Sequence, residues 1–412
     1  MGRVTGLTCV LCGRVYQESR GLYACSSCGD LGTLRVSYDY NAVGAALTRE
    51  SLAGQPLGDQ WRYLPLLPLE VTEVSLPLRV GATPLYDAPG LRRSLGLRHL
   101  WVKDDTLNPS GSLKDRASAV AILKGRELGY DEVATASTGN AASSLACLSA
   151  SLGVKCHIFV PVTAPMAKMI QSLVFGADVL PVHGSYDDAF GLCIEACQAL
   201  CWYNRNTGYN PYTVEGKKTV AIEMVEQLGW EPPDTVVVPV GDGCILSGVW
   251  KGFVDLNRAG MIDRLPRLVA AQAEGSQAIN QAYEGDGRIR SVEVQTFADS
   301  IAVSLPRNGV MAVQDLRASG GMVEIVTDDE ILAAMKLLGR SAGIFAEPAG
   351  AAALAVLVKL CSKGKISKDE RVAVMVTGSG LKDVDAAHRG VMLPEPLPCS
   401  LDAVRARLGM GA

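Results

Sequence analysis

The feature that most constrains this chain is a junction repeated along its length, in which a short apolar run stops at glycine or a small polar residue and gives way to helical periodicity. Val236-Val237-Val238-Pro239-Val240 runs into Gly241-Asp242-Gly243-Cys244, and an amphipathic stretch follows from Ile245. Glu132–Ala136 leads through Ser137-Thr138-Gly139-Asn140 into an alanine-rich helix ending near Leu152, and Cys156–Val160 is the next strand. Further on, Ala177–Leu180, Leu268–Ala271 and Val372–Val376 read as strands. Asp187–Leu200, Gly216–Gln227, Glu330–Leu338 and Ala349–Leu360 read as helices, and Leu401–Leu408 as a short terminal one. Strands alternating with helices predict mainly parallel sheets covered on both faces. The pattern points to two α/β lobes of three layers, with a site in the cleft at the carboxyl ends of the strands.

Two of these junctions carry chemistry. The Gly241–Cys244 loop, at a helix N-terminus, presents backbone N–H groups and a favourable dipole to an anion. Lys114 stands in Asn108-Pro109-Ser110-Gly111-Ser112-Leu113-Lys114-Asp115-Arg116, a turn of small residues that opens a helix, where an amine can condense with an aldehyde cofactor. Alone, Lys114 reads as a surface lysine and Gly241–Gly243 as an ordinary turn. Together they point to pyridoxal 5'-phosphate.

Residues 1–40 carry Cys9-x-x-Cys12 and Cys25-x-x-Cys28, with twelve residues between the pairs. Paired thiolates at this spacing supply a tetrahedral zinc site, and the metal replaces the core that so short a segment cannot build. A closed four-thiolate site is structural. The expectation is a small zinc ribbon, then a Pro- and Leu-rich arm over 41–80 that wraps the body. A catalytic core over 81–395 follows, its smaller lobe at roughly 120–215, with a tail over 396–412. Cys193, Cys197 and Cys201 fall on one helical face and are expected to pack in the core.

The chain has 412 residues, 48% hydrophobic, with net charge −4, twelve cysteines and no basic stripe. That balance argues for a small-molecule partner and against nucleic acid. With no apolar run of membrane-spanning length and no leader-like N-terminus, a cytoplasmic protein is expected, its cysteines thiols rather than disulfides.

The motifs NPSGSLKDR, ASTGNAAS, VPVGDGC and VTGSGLKD, in that order over about 78–385, resemble the pyridoxal-phosphate enzymes of the tryptophan-synthase β-subunit fold (fold type II), and most closely the threonine synthases. The resemblance implies a homodimer and a lyase that performs elimination or replacement on an amino acid. Lys114 would carry the cofactor and move the Cα proton. Asn140 would bond the cofactor's phenolic oxygen. Ser137, Thr138 and Gly139 would take the substrate carboxylate. Gly241, Asp242, Gly243, Cys244 and Ile245 would hold the cofactor phosphate by main-chain N–H groups, and Thr377 would face the pyridine nitrogen.

Threonine synthases usually show PVGNAGN at the phosphate loop, a threonine after the STGN asparagine and an arginine within NPHRLEG. This chain has Asp242 and Ile245 in that loop, Ala141 after Asn140, and Thr213 in Asn210-Pro211-Tyr212-Thr213-Val214-Glu215-Gly216. Thr296–Val303 looks instead like threonine or serine dehydratases. Three readings follow: threonine synthase chemistry on O-phospho-L-homoserine or a close variant, a dehydratase or diaminopropionate-type ammonia-lyase, and a non-catalytic zinc-headed scaffold. Asp242 itself is expected to be a solvated loop residue.

Overall fold

The computed structural model describes residues 3–54, 56–164 and 166–410; the outermost residues of the expected head and tail, Met1, Gly2, Gly411 and Ala412, lie outside the described residues. Among the described residues the strands form three sheets. The first is antiparallel, ordered β2-β1-β4-β3, from β1 (Val4–Cys9), β2 (Val15–Tyr16), β3 (Ala24–Cys25) and β4 (Gly29–Tyr38). Along β4 the buried Leu34, Val36 and Tyr38 alternate with half-buried Arg35 and Ser37, as one packed sheet face requires.

The large lobe has a six-stranded sheet of β5 (Leu85–Asp87), β6 (His99–Asp104), β11 (Thr235–Pro239), β12 (Arg267–Ala273), β13 (Met322–Val326) and β14 (Arg371–Val376), ordered β13-β12-β11-β14-β6-β5. The small lobe has β7 (Glu132–Ala136), β8 (Lys155–Pro161), β9 (Asp178–Val182) and β10 (Tyr203–Asn204), ordered β10-β7-β8-β9 and wholly parallel. The larger sheet is mainly parallel, as expected, and mixed at one edge: β5 runs antiparallel to β6 and closes that edge. The helices that position the site are α1 (Lys114–Glu127), α2 (Asn140–Leu152), α3 (Met166–Val174), α4 (Tyr186–Ala199), α5 (Tyr212–Gln227), α6 (Cys244–Arg258) and α7 (Pro348–Ser362).

The central strand β11 is apolar and fully buried, as a strand covered on both faces should be. Helix α5 is different. It is buried almost throughout although it carries Glu215, Lys217, Lys218, Thr219 and Glu223. Most of that charge is neutralised internally: Glu223 meets Arg116 at 3.0 Å and also Lys103, and Lys218 meets Glu215 and Asp255. The expected cysteine face is also corrected in part. Cys193 and Cys197 are buried on α4, but Cys201 lies beyond the helix end, exposed and with φ of +57°.

Candidate active site

The cavity lies where β6, β7, β11 and β14 end. After Asp104 the chain makes a turn and enters α1 at Lys114, and the residues beside that lysine are locked in place. Asp115 accepts hydrogen bonds from the N–H and hydroxyl of Ser110 at 2.7 and 2.5 Å. Arg116 is held by Asp105 at 2.7 Å. The N–H of Leu113 donates to the carbonyl of Thr377 at 2.9 Å, which ties the loop to the end of β14. Gly111, at φ +84°, supplies the left-handed turn that this path needs. Lys114 itself is half-buried and lines a cavity of about 470 Å³. Burial lowers its pKa, and the charge of Arg205 lowers it further.

Two helix N-termini flank this amine. Helix α2 begins at Asn140 behind Gly139, which offers no side-chain cap. Ser137 folds back to accept from the N–H of Gly139 at 3.2 Å, so Ser137 and Thr138 do not cap the helix, and its first-turn N–H groups remain available at the cavity. Helix α6 begins at Cys244 behind Gly243, also uncapped. Gly243 has φ +89°, and a Cβ there would come within 2.7 Å of Ala312 Cβ. At Gly241 a Cβ would come within 2.7 Å of Ile301 Cα, so neither glycine has room for a side chain. The cavity thus gathers Lys114 and Thr377, the Ser137–Asn140 turn, and the Gly241–Ile245 loop.

Asp242 is not the solvated loop residue its position suggests. Its carboxylate accepts from the N–H of Arg307 at 2.6 Å and from the Cys244 thiol at 3.4 Å, and burial raises its pKa. Burial also pushes Cys244 up to about 12, so its thiol stays protonated at neutral pH.

Asn140 donates to both oxygens of Glu347 at 2.8 and 2.9 Å and to the hydroxyl of Ser300 at 3.2 Å. Glu347 stands before α7, is 5% exposed, and is raised in pKa by burial. The sequence reading passed over it. The available signal was an acid directly before Pro348, at the start of an otherwise apolar helix. Arg205 and Lys217, both fully buried near Lys114, were also missed.

The residues fit the implied cofactor. An amine with a lowered pKa faces a cavity of ligand size, and an uncapped helix N-terminus lies beside it to take a phosphate. At the head, the sulfur atoms of Cys9, Cys12, Cys25 and Cys28 all lie within 4.8 Å of one another, Cys12 and Cys25 at 3.7 Å. Four thiolates at zinc bond lengths sit roughly 3.8 Å apart, so this cluster could hold a metal ion.

Comparison with known proteins agrees with this geometry. The family model described as "Pyridoxal-phosphate dependent enzyme" matches residues 76–378. The chain belongs to that family of pyridoxal-phosphate-dependent enzymes. More particularly, it is 38% identical over 400 residues to the threonine synthase of Methanocaldococcus jannaschii, covering 96% of this chain and 98% of the relative. It is also 38% identical over 402 residues to the threonine synthase of Methanosarcina acetivorans, covering 97% of each. These alignments span nearly the whole chain, whereas the family model begins only at residue 76. Among solved structures, the processed form of threonine deaminase isoform 2 from Solanum lycopersicum superposes with a TM-score of 0.65 at 24% identity, over 75% of this chain and 82% of that one. Serine racemase from Dictyostelium discoideum gives 0.62 at 26% identity, over 72% and 92%. The fold is therefore that of fold type II, and the protein is a pyridoxal-phosphate-dependent lyase of threonine-synthase type.

Proposed function

We propose that the chain converts O-phospho-L-homoserine and water to L-threonine and phosphate. The observation that carries this reading is one amine of lowered basicity set between two uncapped helix N-termini, in a chain aligned over almost its full length with threonine synthases. Pyridoxal phosphate, when bound, supplies an aldehyde for the substrate's amino group and an electron-withdrawing ring. Lys114, its basicity lowered by burial and by the charge of Arg205, would anchor it and take and return the proton at Cα. The α2 N-terminus, with Ser137 and Thr138, holds the substrate carboxylate, and the α6 N-terminus with Gly241–Ile245 holds the cofactor phosphate. Asn140, held in place by Glu347, would offer its amide to the ring's phenolic oxygen. Thr377 offers the ring nitrogen a hydroxyl in place of a carboxylate, a weaker partner for a proton there.

Orthophosphate and 2-oxo-acid assays on O-phosphohomoserine, threonine, serine and diaminopropionate test the proposal. Orthophosphate and threonine should appear from the first, with no 2-oxo acid. A 2-oxo acid from threonine, serine or diaminopropionate, with no orthophosphate from O-phosphohomoserine, would overturn it in favour of a dehydratase or ammonia-lyase. Lys114→Ala should cut turnover by about 10²- to 10⁴-fold or more. It should also remove the borohydride-trapped pyridoxyl adduct from the peptide containing residue 114; a variant that lost turnover yet left the protein's biological role unchanged would point to the non-catalytic scaffold.

The same proposal includes a structural zinc on Cys9, Cys12, Cys25 and Cys28, checked by metal analysis of protein purified without added metal. It also places the enzyme in the cytoplasm as a homodimer, with a head over 1–40, an arm over 41–80, a core over 81–395 and a tail over 396–412. Among the described residues no helix is long and apolar enough to cross a membrane.

A further inference from the structure

We propose that Arg205 and Lys217 form the cationic floor of a phosphate-monoester site at the N-terminus of α6, adding side-chain charge to what the loop's main-chain N–H groups supply. Both residues are 0% exposed. Lys217 Nζ has no hydrogen-bond partner, and neither has Arg205 Nη2. The remaining bonds of Arg205 go to neutral hydroxyls, Nε to Ser118 at 3.1 Å and Nη1 to Thr207 at 2.7 Å. Among the described residues the other fully buried cations, Lys103, Arg116, Lys124 and Lys218, each meet a carboxylate. Two unpaired cations in one place are therefore a departure from how this molecule treats buried charge.

Their position identifies the missing partner. Lys217 faces α6: a Cβ on Gly248, one turn beyond Cys244, would come within 2.8 Å of Lys217 Cβ. The groups that act on its charge are Cys244, Lys114, Arg205 and Asp242, three of which line the cavity. Arg205 reaches the cavity wall through Thr207, and its other partner, Ser118, lies one turn beyond Lys114 on α1. The positive end of α6 adds to these charges.

No carboxylate hydrogen-bonds either of them. Asp242 and Asp115, whose charges favour Lys217 and Arg205 respectively, are engaged elsewhere, Asp242 with the N–H of Arg307 and the Cys244 thiol and Asp115 with Ser110. Buried cations without a counter-charge are costly, and burial pushes Lys217 down to about 7 and Arg205 to about 10. A dianion with three free oxygens gives acceptors to both orphaned donors and to the helix amides together, which a carboxylate with two oxygens does less completely.

The inference rests on the cofactor reading above. The phosphate can come from the cofactor or from the substrate, and titrations of the full-length chain separate the two. For Lys217→Gln and Arg205→Gln, the affinity of the cofactor-stripped chain for pyridoxal phosphate and for pyridoxal is measured, along with inhibition of the holoenzyme by inorganic phosphate. If the site takes the cofactor phosphate, pyridoxal phosphate affinity falls about 10- to 100-fold and pyridoxal affinity stays unchanged. If it takes the substrate phosphate, pyridoxal phosphate affinity holds and the inhibition constant for inorganic phosphate rises by a similar factor. Unchanged affinity for both, in variants that unfold at the wild-type midpoint, overturns the proposal. Should the variants not fold, the wild type decides: inorganic phosphate must raise the unfolding midpoint of the cofactor-stripped chain, and no shift would sink the idea. A wild-type chain that takes up no pyridoxal phosphate at Lys114 defeats the underlying reading instead.

Discussion

Arg116 and Arg205 are both fully buried, and their surroundings are opposite. Arg116 bonds Asp105 at 2.7 and 2.9 Å, Glu223 at 3.0 Å, and the hydroxyls of Thr83 and Thr219 at 2.9 and 3.2 Å, so each of its nitrogens has a partner. Burial works against its charge, but Asp105 and Glu223 outweigh it and its pKa is raised. Burial likewise opposes the charge of Glu223, yet Arg116 and Lys103 hold it at about 2. Arg205 has two neutral hydroxyls and a nitrogen with no partner, and burial leaves its pKa lowered. A buried cation satisfied from within maintains structure, whereas one left wanting marks where a ligand completes the molecule.

The comparison breaks most clearly at Glu223. Glu223→Gln should lower unfolding free energy in urea by about 3–5 kcal/mol, because Arg116 and Lys103 lose their shared counter-charge. Pyridoxal phosphate uptake by the folded variant should be unchanged. Since Glu223 sits at about 2 when folded, its stabilising contribution is complete above the unfolded value of about 4.3 and is lost as pH falls toward 2; the variant should lack that part of the acid transition.

The opposite sign is expected at Lys217. Its folded pKa of about 7 lies below the unfolded value of about 10.4, so the unfolded chain binds more protons between them. The cofactor-stripped chain should therefore gain stability as pH rises from about 7 to 10, by on the order of 1 kcal/mol per unit, and Lys217→Met should flatten that slope. Equal slopes would mean that Lys217 is satisfied after all. At Glu347, removal leaves the Asn140 amide short of an acceptor: Glu347→Ala should cost about 1–3 kcal/mol in kcat/KM, and Glu347→Gln less, since burial already favours the uncharged acid. The smallest effect belongs to the exposed pair Arg290–Asp286 at 2.7 Å, where Arg290→Ala should leave the thermal midpoint unchanged within error.

What could be read from sequence followed how locally each feature is encoded. The β11–α6 junction was readable because an apolar run ends at glycine and the next residues take up helical spacing. The strand β6 was not, because Lys103 within it looks like a surface residue; it is buried only because Glu223, far along the chain, neutralises it. The helix read from Gly216 begins at Tyr212, with Pro211 just before its first turn, where a proline's missing N–H costs nothing. The site divides in the same way. Lys114, the Ser137–Asn140 turn and the glycine loop carry their own punctuation, while Glu347, Arg205 and Lys217 acquire meaning only from neighbours that folding brings to them.

The last residue of β4 has a consequence for anyone trimming this protein. Tyr38 donates to Glu215 at 2.6 Å and lies under the amines of Lys218 and Lys251, at 4.1 and 4.9 Å from its ring centre. It is thus a lid on the ionic cluster at the back of α5, the helix that also carries Lys217 against α6. Deleting the cysteine-bearing segment would open that cluster to water and loosen the rear support of the reaction chamber. A shortened enzyme that lost activity would thus report a missing wall as readily as a missing metal.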